Sequence, residues 1–219
     1  GYVLGASMRA SLVVLIMLER TQVQYMRHAF QAEILRDPRL DVPIKWLALA
    51  LAFAPWLPAA VAGGAEAVLA LLLLVRFTGW KPLRAFSRLD VGIMYLGYLM
   101  IVAQLLVDAV GHFVALPWVG SVSAHLFTVG VLGTIMPAMI VRIAKGHTGR
   151  KVVFDGGDRA VLWIMVGAFA ARVVLPQLAP AAYLPALHLA ATCWLVALAT
   201  LAWRYIPFLL APRVDGREH

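Results

Sequence analysis

The sequence has little with which to build a water-soluble protein. Its only cysteine, Cys193, lies inside an apolar run, so the chain by itself can form no internal disulfide and no thiolate metal cluster. A small buried hydrophobe is the ordinary role of such a residue. Charged residues make up 14% of the 219 positions and hydrophobic ones 63%, with a mean hydropathy of +0.85. This composition lies well outside the globular range. Acids are scarce, 11 against 19 basic residues, for a formal net charge of +8. The basic residues sit in short gaps between apolar runs, with no basic domain or Cys/His finger to present them to a nucleic acid. Anionic lipid headgroups are therefore the expected counter-charge, and nucleic acid is not an expected partner. The chain opens Gly1-Tyr2-Val3-Leu4 rather than with methionine, and its first 18 residues read as an apolar helix rather than a basic-led signal peptide. That predicts a fragment, a processed product or a short form, with a missing N-terminal half as one possible partner.

What is present is a series of apolar runs. A spanning helix needs about 20 mostly apolar residues, because hydrocarbon satisfies no exposed backbone amide. Seven stretches qualify, near 2–18, 44–62, 65–78, 91–116, 122–143, 160–178 and 184–206. The expected fold is all-α, a polytopic transmembrane bundle of about seven helices forming one domain over 1–219. The third stretch is short and predicts a tilted or re-entrant element.

Basic residues orient the bundle, since short loops rich in them stay in the cytoplasm. All of them except Arg9 and Arg172 follow the first, third, fifth and seventh stretches. The alternate loops, around Gly63-Gly64-Ala65-Glu66, Pro117-Trp118-Val119-Gly120 and Ala179-Pro180-Ala181-Ala182, contain none. Seven crossings with the N-terminus outside and the C-terminus cytoplasmic satisfy the rule. The expected location is a bacterial cytoplasmic membrane, with lipid as a partner. Trp46, Trp56, Trp80, Trp118, Trp163, Trp203 and Tyr205 fall near predicted helix ends and read as an interfacial belt.

Arg9 and Arg172 lie inside apolar stretches, where charge is costly and usually functional. Gln104, Asp108 and His112 follow at spacings of four and share one helix face. His125 and His188 begin the fifth and seventh stretches. In the derived orientation Arg9, Asp108, His112, His125, Arg172 and His188 all lie toward the outer side, which predicts a shared site there. Imidazoles without cysteine or paired carboxylates suit haem iron, copper or another borderline metal better than calcium or magnesium. Arg9 and Arg172 would then neutralise haem propionates or a bound anion. The plainer alternative is that each histidine makes one interhelical hydrogen bond and Arg172 pairs with Asp108. Gly130 and Gly133 beside Thr128 and Thr134 permit close helix approach, and Pro137 predicts a bend. The loop Gly146-His147-Thr148-Gly149-Arg150-Lys151 reads as a tight turn rather than a phosphate loop.

The run Ser-Ala-His-Leu-Phe-Thr-Val-Gly-Val-Leu-Gly-Thr-Ile-Met from Ser123, followed by Val-Arg-Ile-Ala-Lys-Gly-His-Thr-Gly-Arg, resembles the NnrS family of bacterial membrane proteins. Gly79-Trp80 running into Tyr95-Leu96-Gly97-Tyr98, and the ending Trp203-Arg204-Tyr205-Ile206-Pro207 with Pro212-Arg213-Val214-Asp215-Gly216, agree with it. The resemblance covers nearly the whole chain and corresponds to about the C-terminal half of the family's usual architecture. It implies a membrane protein containing haem b and copper, associated with denitrification and nitric oxide stress. By motif position it carries over His125 and His147, with Arg142 and Arg150 in the same block. Tyr95 stands where many relatives read histidine, and the loop after Arg20 lacks their Pro-Phe-Phe-Thr. Tyr95 is either a replacement haem ligand or an interfacial residue. The orientation sets His147 on the cytoplasmic side and His125 on the outer side, so they take separate roles. The metal candidates are His112, His125 and His188, read from the residues, and His147, from the resemblance.

The leading expectation is an NnrS-like haem- or copper-binding protein in nitric oxide protection, with turnover undecided. The alternative is a non-catalytic transmembrane subunit docked to a respiratory or other oxidoreductase complex and binding quinone, haem or lipid. A small-solute transporter is a third class, unsupported by any inverted repeat.

Overall fold

The computed structural model describes residues 38–80 and 82–216, and all of their regular structure is helical. In chain order the helices are α1 (Pro38–Leu51), α2 (Ala59–Gly79), α3 (Pro82–Phe86), α4 (Leu89–Gly111), α5 (Val122–His147), α6 (Gly156–Leu178) and α7 (Tyr183–Leu210). α2, α4, α5, α6 and the segment Pro180–Leu210 are each long and apolar enough to cross a membrane. The chain is thus an all-helical, multi-pass membrane protein. The first predicted stretch, 2–18, and with it Arg9, lie outside the described residues.

The described residues group into two compact units. The first comprises α1, α2 and α4 from Tyr98 onward; the second comprises α4 up to Gly97 together with α5, α6 and α7. In the first unit α1 and α2 form an antiparallel hairpin, closed where Asp41 in the first turn of α1 meets Arg76 in the last turn of α2 at 3.0 Å. Two boundaries differ from the expected ones. The second stretch ends as a helix at Leu51, continues as a 3-10 turn over Ala54–Trp56, and breaks at Pro55 and Pro58. The third is neither short nor re-entrant, because the alanines after Pro58 and the pair Gly63-Gly64 are helical and α2 runs for 21 residues. Two glycines weaken a helix by about 1 kcal/mol each, but hydrocarbon leaves no other partner for their amides.

Gly63 also has a packing reason. A methyl group there would meet Phe113 Cε2 at 2.8 Å, His112 Cβ at 3.0 Å and the Ala109 carbonyl at 3.1 Å. The glycine lets α4 close on α2. The inward face of α2 carries Gly63, Glu66, Leu69, Ala70, Leu73 and Phe77, while Val61, Val68, Leu71 and Val75 point outward. Apolar residues on both faces, with small and polar ones inside, are the pattern of a helix in lipid.

In the second unit α7 lies along α6 through a stripe of small residues, Ala186, Ala190 and Ala197, continued by Leu201 and Tyr205. Opposite them α6 buries Val161, Leu162, Met165 and Ala168. Gly97 admits α5, since a Cβ there would stand 2.5 Å from Ile135. Gly133 seats the indole of Trp194, with Cζ2 at 3.2 Å from a Cβ built there.

Two helices contain widened π-helical turns, Leu126–Leu132 in α5 and Ala170–Val174 in α6. The second ends just before Pro176, which has no N–H to offer the preceding turn. In the first, Thr134 Oγ1 donates to the Gly130 carbonyl at 2.6 Å, taking up an acceptor that the widened ladder leaves. Trp46, Trp56, Trp118, Trp163 and Trp203 are exposed, as an interfacial belt requires, but Trp80 and Tyr205 are buried. Trp80 packs on Tyr98 at 4.8 Å, and Tyr205 bonds inside the protein. Tyr95 is buried too, edge-on to Phe86 at 6.2 Å, and so is not an interfacial residue.

Candidate cofactor sites

His125 occupies the last position before the π-helical turn of α5. Its Nδ1 lies 2.5 Å from the Ser121 carbonyl, one turn back. A carbonyl only accepts, so Nδ1 carries the proton, and in the neutral tautomer with that proton the lone pair lies on Nε2. That is how a metal-ligating histidine is held: one nitrogen fixes tautomer and ring orientation while the other binds. The short turn Val122–His125 packs against the π-helical segment of α6, which carries Arg172. The Arg172 guanidinium sits over the Tyr183 ring at 5.5 Å from its centroid. Gln177, nearer the end of the same helix, clamps Val119 through both its backbone N–H and its carbonyl at 3.0 Å each. The structure thus brings the elements of His125 and Arg172 together at one end of the second unit. His188 is exposed in the second turn of α7, with Thr192 Oγ1 donating to its carbonyl at 2.8 Å.

In the first unit His112 follows the last turn of α4, its side chain 30% exposed. Its Nε2 stands 3.3 Å from Oε1 of Glu66, a side chain with no exposure at all. Glu66 Oε2 has no hydrogen-bond partner among the described residues. Asp108 is buried one turn before His112. Gln104 is buried a further turn back. Sequence reasoning missed Glu66 by placing it in a loop. The available signal was a proline followed by a 21-residue stretch whose only charged members are Glu66 and Arg76, with Gly63 and Glu66 one turn apart on one face.

His147 ends α5, exposed, and its carbonyl accepts from Arg213 Nη1 at 3.0 Å. The turn after it is tight as expected. Gly149 has φ +73°, and a Cβ there would strike Asp215 at 2.7 Å. Of the arginines matched by motif position, Arg142 donates to the Asp90 carbonyl at 2.6 Å, and Arg150 stacks over Phe208 at 4.0 Å.

The same end of the second unit holds a charge network absent from the sequence reading. Asp158 is fully buried; it accepts from Lys145 Nζ at 2.6 Å and from Tyr205 OH at 2.6 Å, and Arg204 lies 3.4 Å away. Asp155 and Asp158 cap α6 reciprocally through each other's backbone N–H. Burial raises the Asp155 carboxyl, but the Asp158 N–H and the charges of Arg204 and Lys145 outweigh it and hold it below its ordinary range. The signal was Asp-Gly-Gly-Asp at the head of α6, a capping box in which aspartate replaces glutamate.

Among the described residues no group of three or more His, Cys, Asp or Glu side chains converges as a metal site. A family model described as NnrS protein matches residues 3–213. No curated protein and no solved structure matches the chain.

Proposed function

The chain belongs to the NnrS family, and on that premise we propose that it binds haem b at His125 and acts in protection against nitric oxide or in denitrification-linked metabolism. The observation that carries this reading is the His125 ring, whose Nδ1 proton is committed to Ser121 and whose Nε2 is left to a metal. One imidazole is enough for an axial haem ligand. The widened turn after it is a feature that recurs at functional sites in helices. When bound, haem supplies an iron with a position open to a small neutral ligand that arrives through lipid. Arg172, held against Tyr183 on the neighbouring helix, carries the charge that would pair with a propionate carboxylate. His188 is the second residue that would hold the haem iron, and His147 the candidate at the opposite end of α5. Copper belongs to the same family reading, but a copper centre with three protein donors is not assembled among the described residues. The distribution of lysine and arginine supports a bacterial cytoplasmic membrane, with the C-terminus in the cytoplasm.

A reduced-minus-oxidised spectrum of detergent-purified protein tests the reading. A haem spectrum lost in His125→Ala supports it. Stoichiometric copurification with a larger complex and no haem or copper replaces it with the docked, non-catalytic subunit.

A further inference from the structure

Where α5 ends, α6 begins and α7 stops, each acid of the second unit already has its base. Asp155 and Asp158 are taken by Lys145 and Arg204, and Asp215 by Arg213 through both oxygens. Arg150 is left over. Its guanidinium makes no hydrogen bond or ion pair among the described residues, and its Nη1 is buried without a partner. Arginine keeps its proton in any protein setting, so this charge calls for an anion that those residues do not supply.

The guanidinium is held in place all the same, over the Phe208 ring at 4.0 Å from its centroid. An arginine seated on an aromatic face keeps the N–H groups at its edge free while losing the play of a long side chain, which suits it to a two-pronged grip on phosphate. The loop that carries it is tied down too. The Val214 N–H donates to the Thr148 carbonyl at 3.1 Å and Arg213 Nη1 to the His147 carbonyl at 3.0 Å, so the segment after α7 straps the loop. Arg150 is half-buried rather than enclosed, and a ligand can reach it. The surroundings of Phe208 say which anion. Trp203, Ile206, Leu209 and Leu210, in the same last turns of α7, are exposed, an apolar surface for acyl chains beside a guanidinium for a phosphate. A free phosphate ion would use only one of the two; an anionic lipid uses both. Lys151, next in the chain and exposed, adds a second cation.

We propose that Arg150, seated on Phe208 with Lys151 beside it, forms a specific site for the headgroup phosphate of an anionic phospholipid whose acyl chains lie along the end of α7. General attraction to an anionic leaflet is shared by every exposed cation, such as Arg159 in the first turn of α6. A seated guanidinium instead selects one lipid molecule at one place. The site does not depend on haem at His125.

The test uses the detergent-purified full chain, read by its thermal unfolding midpoint and by native mass spectrometry. Phosphatidylglycerol should raise the midpoint saturably and stay bound as one lipid per chain, whereas phosphatidylcholine with the same acyl chains should do neither. Arg150→Gln should weaken phosphatidylglycerol binding about tenfold, the worth of one charge-assisted hydrogen bond. Phe208→Leu keeps the charge but unseats it, and should weaken binding as well. It keeps the test alive if the Arg150 variant fails to fold, and monodisperse elution with unchanged helical circular dichroism qualifies either variant. Arg159→Gln removes an equal charge and should bind the lipid like the unaltered chain. Equal weakening in Arg159→Gln, full binding in both Arg150→Gln and Phe208→Leu, or an equal response to phosphatidylcholine overturns the proposal. A midpoint raised as far by inorganic phosphate alone overturns the lipid as occupant.

Discussion

Glu66 and Asp158 are both fully buried acids in membrane-spanning helices, yet their surroundings differ in kind. Asp158 has Lys145, Tyr205 and Arg204 around its two oxygens, besides the Asp155 backbone N–H at 3.2 Å. Every lone pair that matters is used, and all the partners belong to the protein. Glu66 has one histidine, 30% exposed, on one oxygen and nothing among the described residues on the other. A fully satisfied buried network rigidifies a fold, whereas a partly satisfied one is tolerated where a ligand completes it. Burial alone therefore does not separate a structural acid from a functional one. The count of unused lone pairs does.

Substitutions can break this comparison, and the largest effect belongs to Asp158. Asp158→Ala leaves buried Lys145 with only the Val153 carbonyl and Asp155 at 3.7 Å, and should cost about 3 kcal/mol, read as a lower thermal unfolding midpoint in detergent. A loss no greater than that of an exposed substitution would refute the structural role. Gly63→Ala comes next. Its methyl group would stand 2.8 Å from Phe113 Cε2 and only 3.0–3.1 Å from His112 Cβ and the Ala109 carbonyl, and overpacking of this kind costs about 1–3 kcal/mol. Tyr205→Phe removes one hydrogen bond from Asp158 and should cost about 1 kcal/mol in the same melt.

A smaller effect belongs to pH. The folded Asp155 carboxyl lies below its ordinary value of 3.8. Its contribution is therefore present above that value and fades as pH falls through the depressed one, because the unfolded chain then binds the proton more readily. Melting curves across this acid range should show a slope that Asp155→Asn removes. The smallest effect sharpens the contrast from the other side. Glu66→Gln should be neutral or slightly stabilising, because it deletes an incompletely compensated buried charge. A loss comparable to that of Asp158→Ala would mean that Glu66 is structural after all.

Much of the architecture was legible because lipid imposes it. Backbone amides in hydrocarbon must bond within a helix, so apolar run length marked the spans, and basic residues marked alternate loops. The same reading placed His125 and Arg172 toward one end of their helices, and the second unit does bring their elements together. The element boundaries failed where composition misleads. Gly63-Gly64-Ala65-Glu66 has the look of a surface loop, and only the closeness of α4 explains why a helix uses glycine there. Tyr205 and Trp80 have the composition of an interface, and only their partners Asp158 and Tyr98 show that they face inward.

From the sequence by itself follow the solvent, the fold class, the approximate crossings and the family motifs, because each depends on residues near one another in the chain or on total composition. Tertiary structure alone decided which buried charges are satisfied. Lys145, Asp158 and Tyr205 come from three helices, as Glu66 and His112 come from two, and a lone pair is used or left open only when those helices pack.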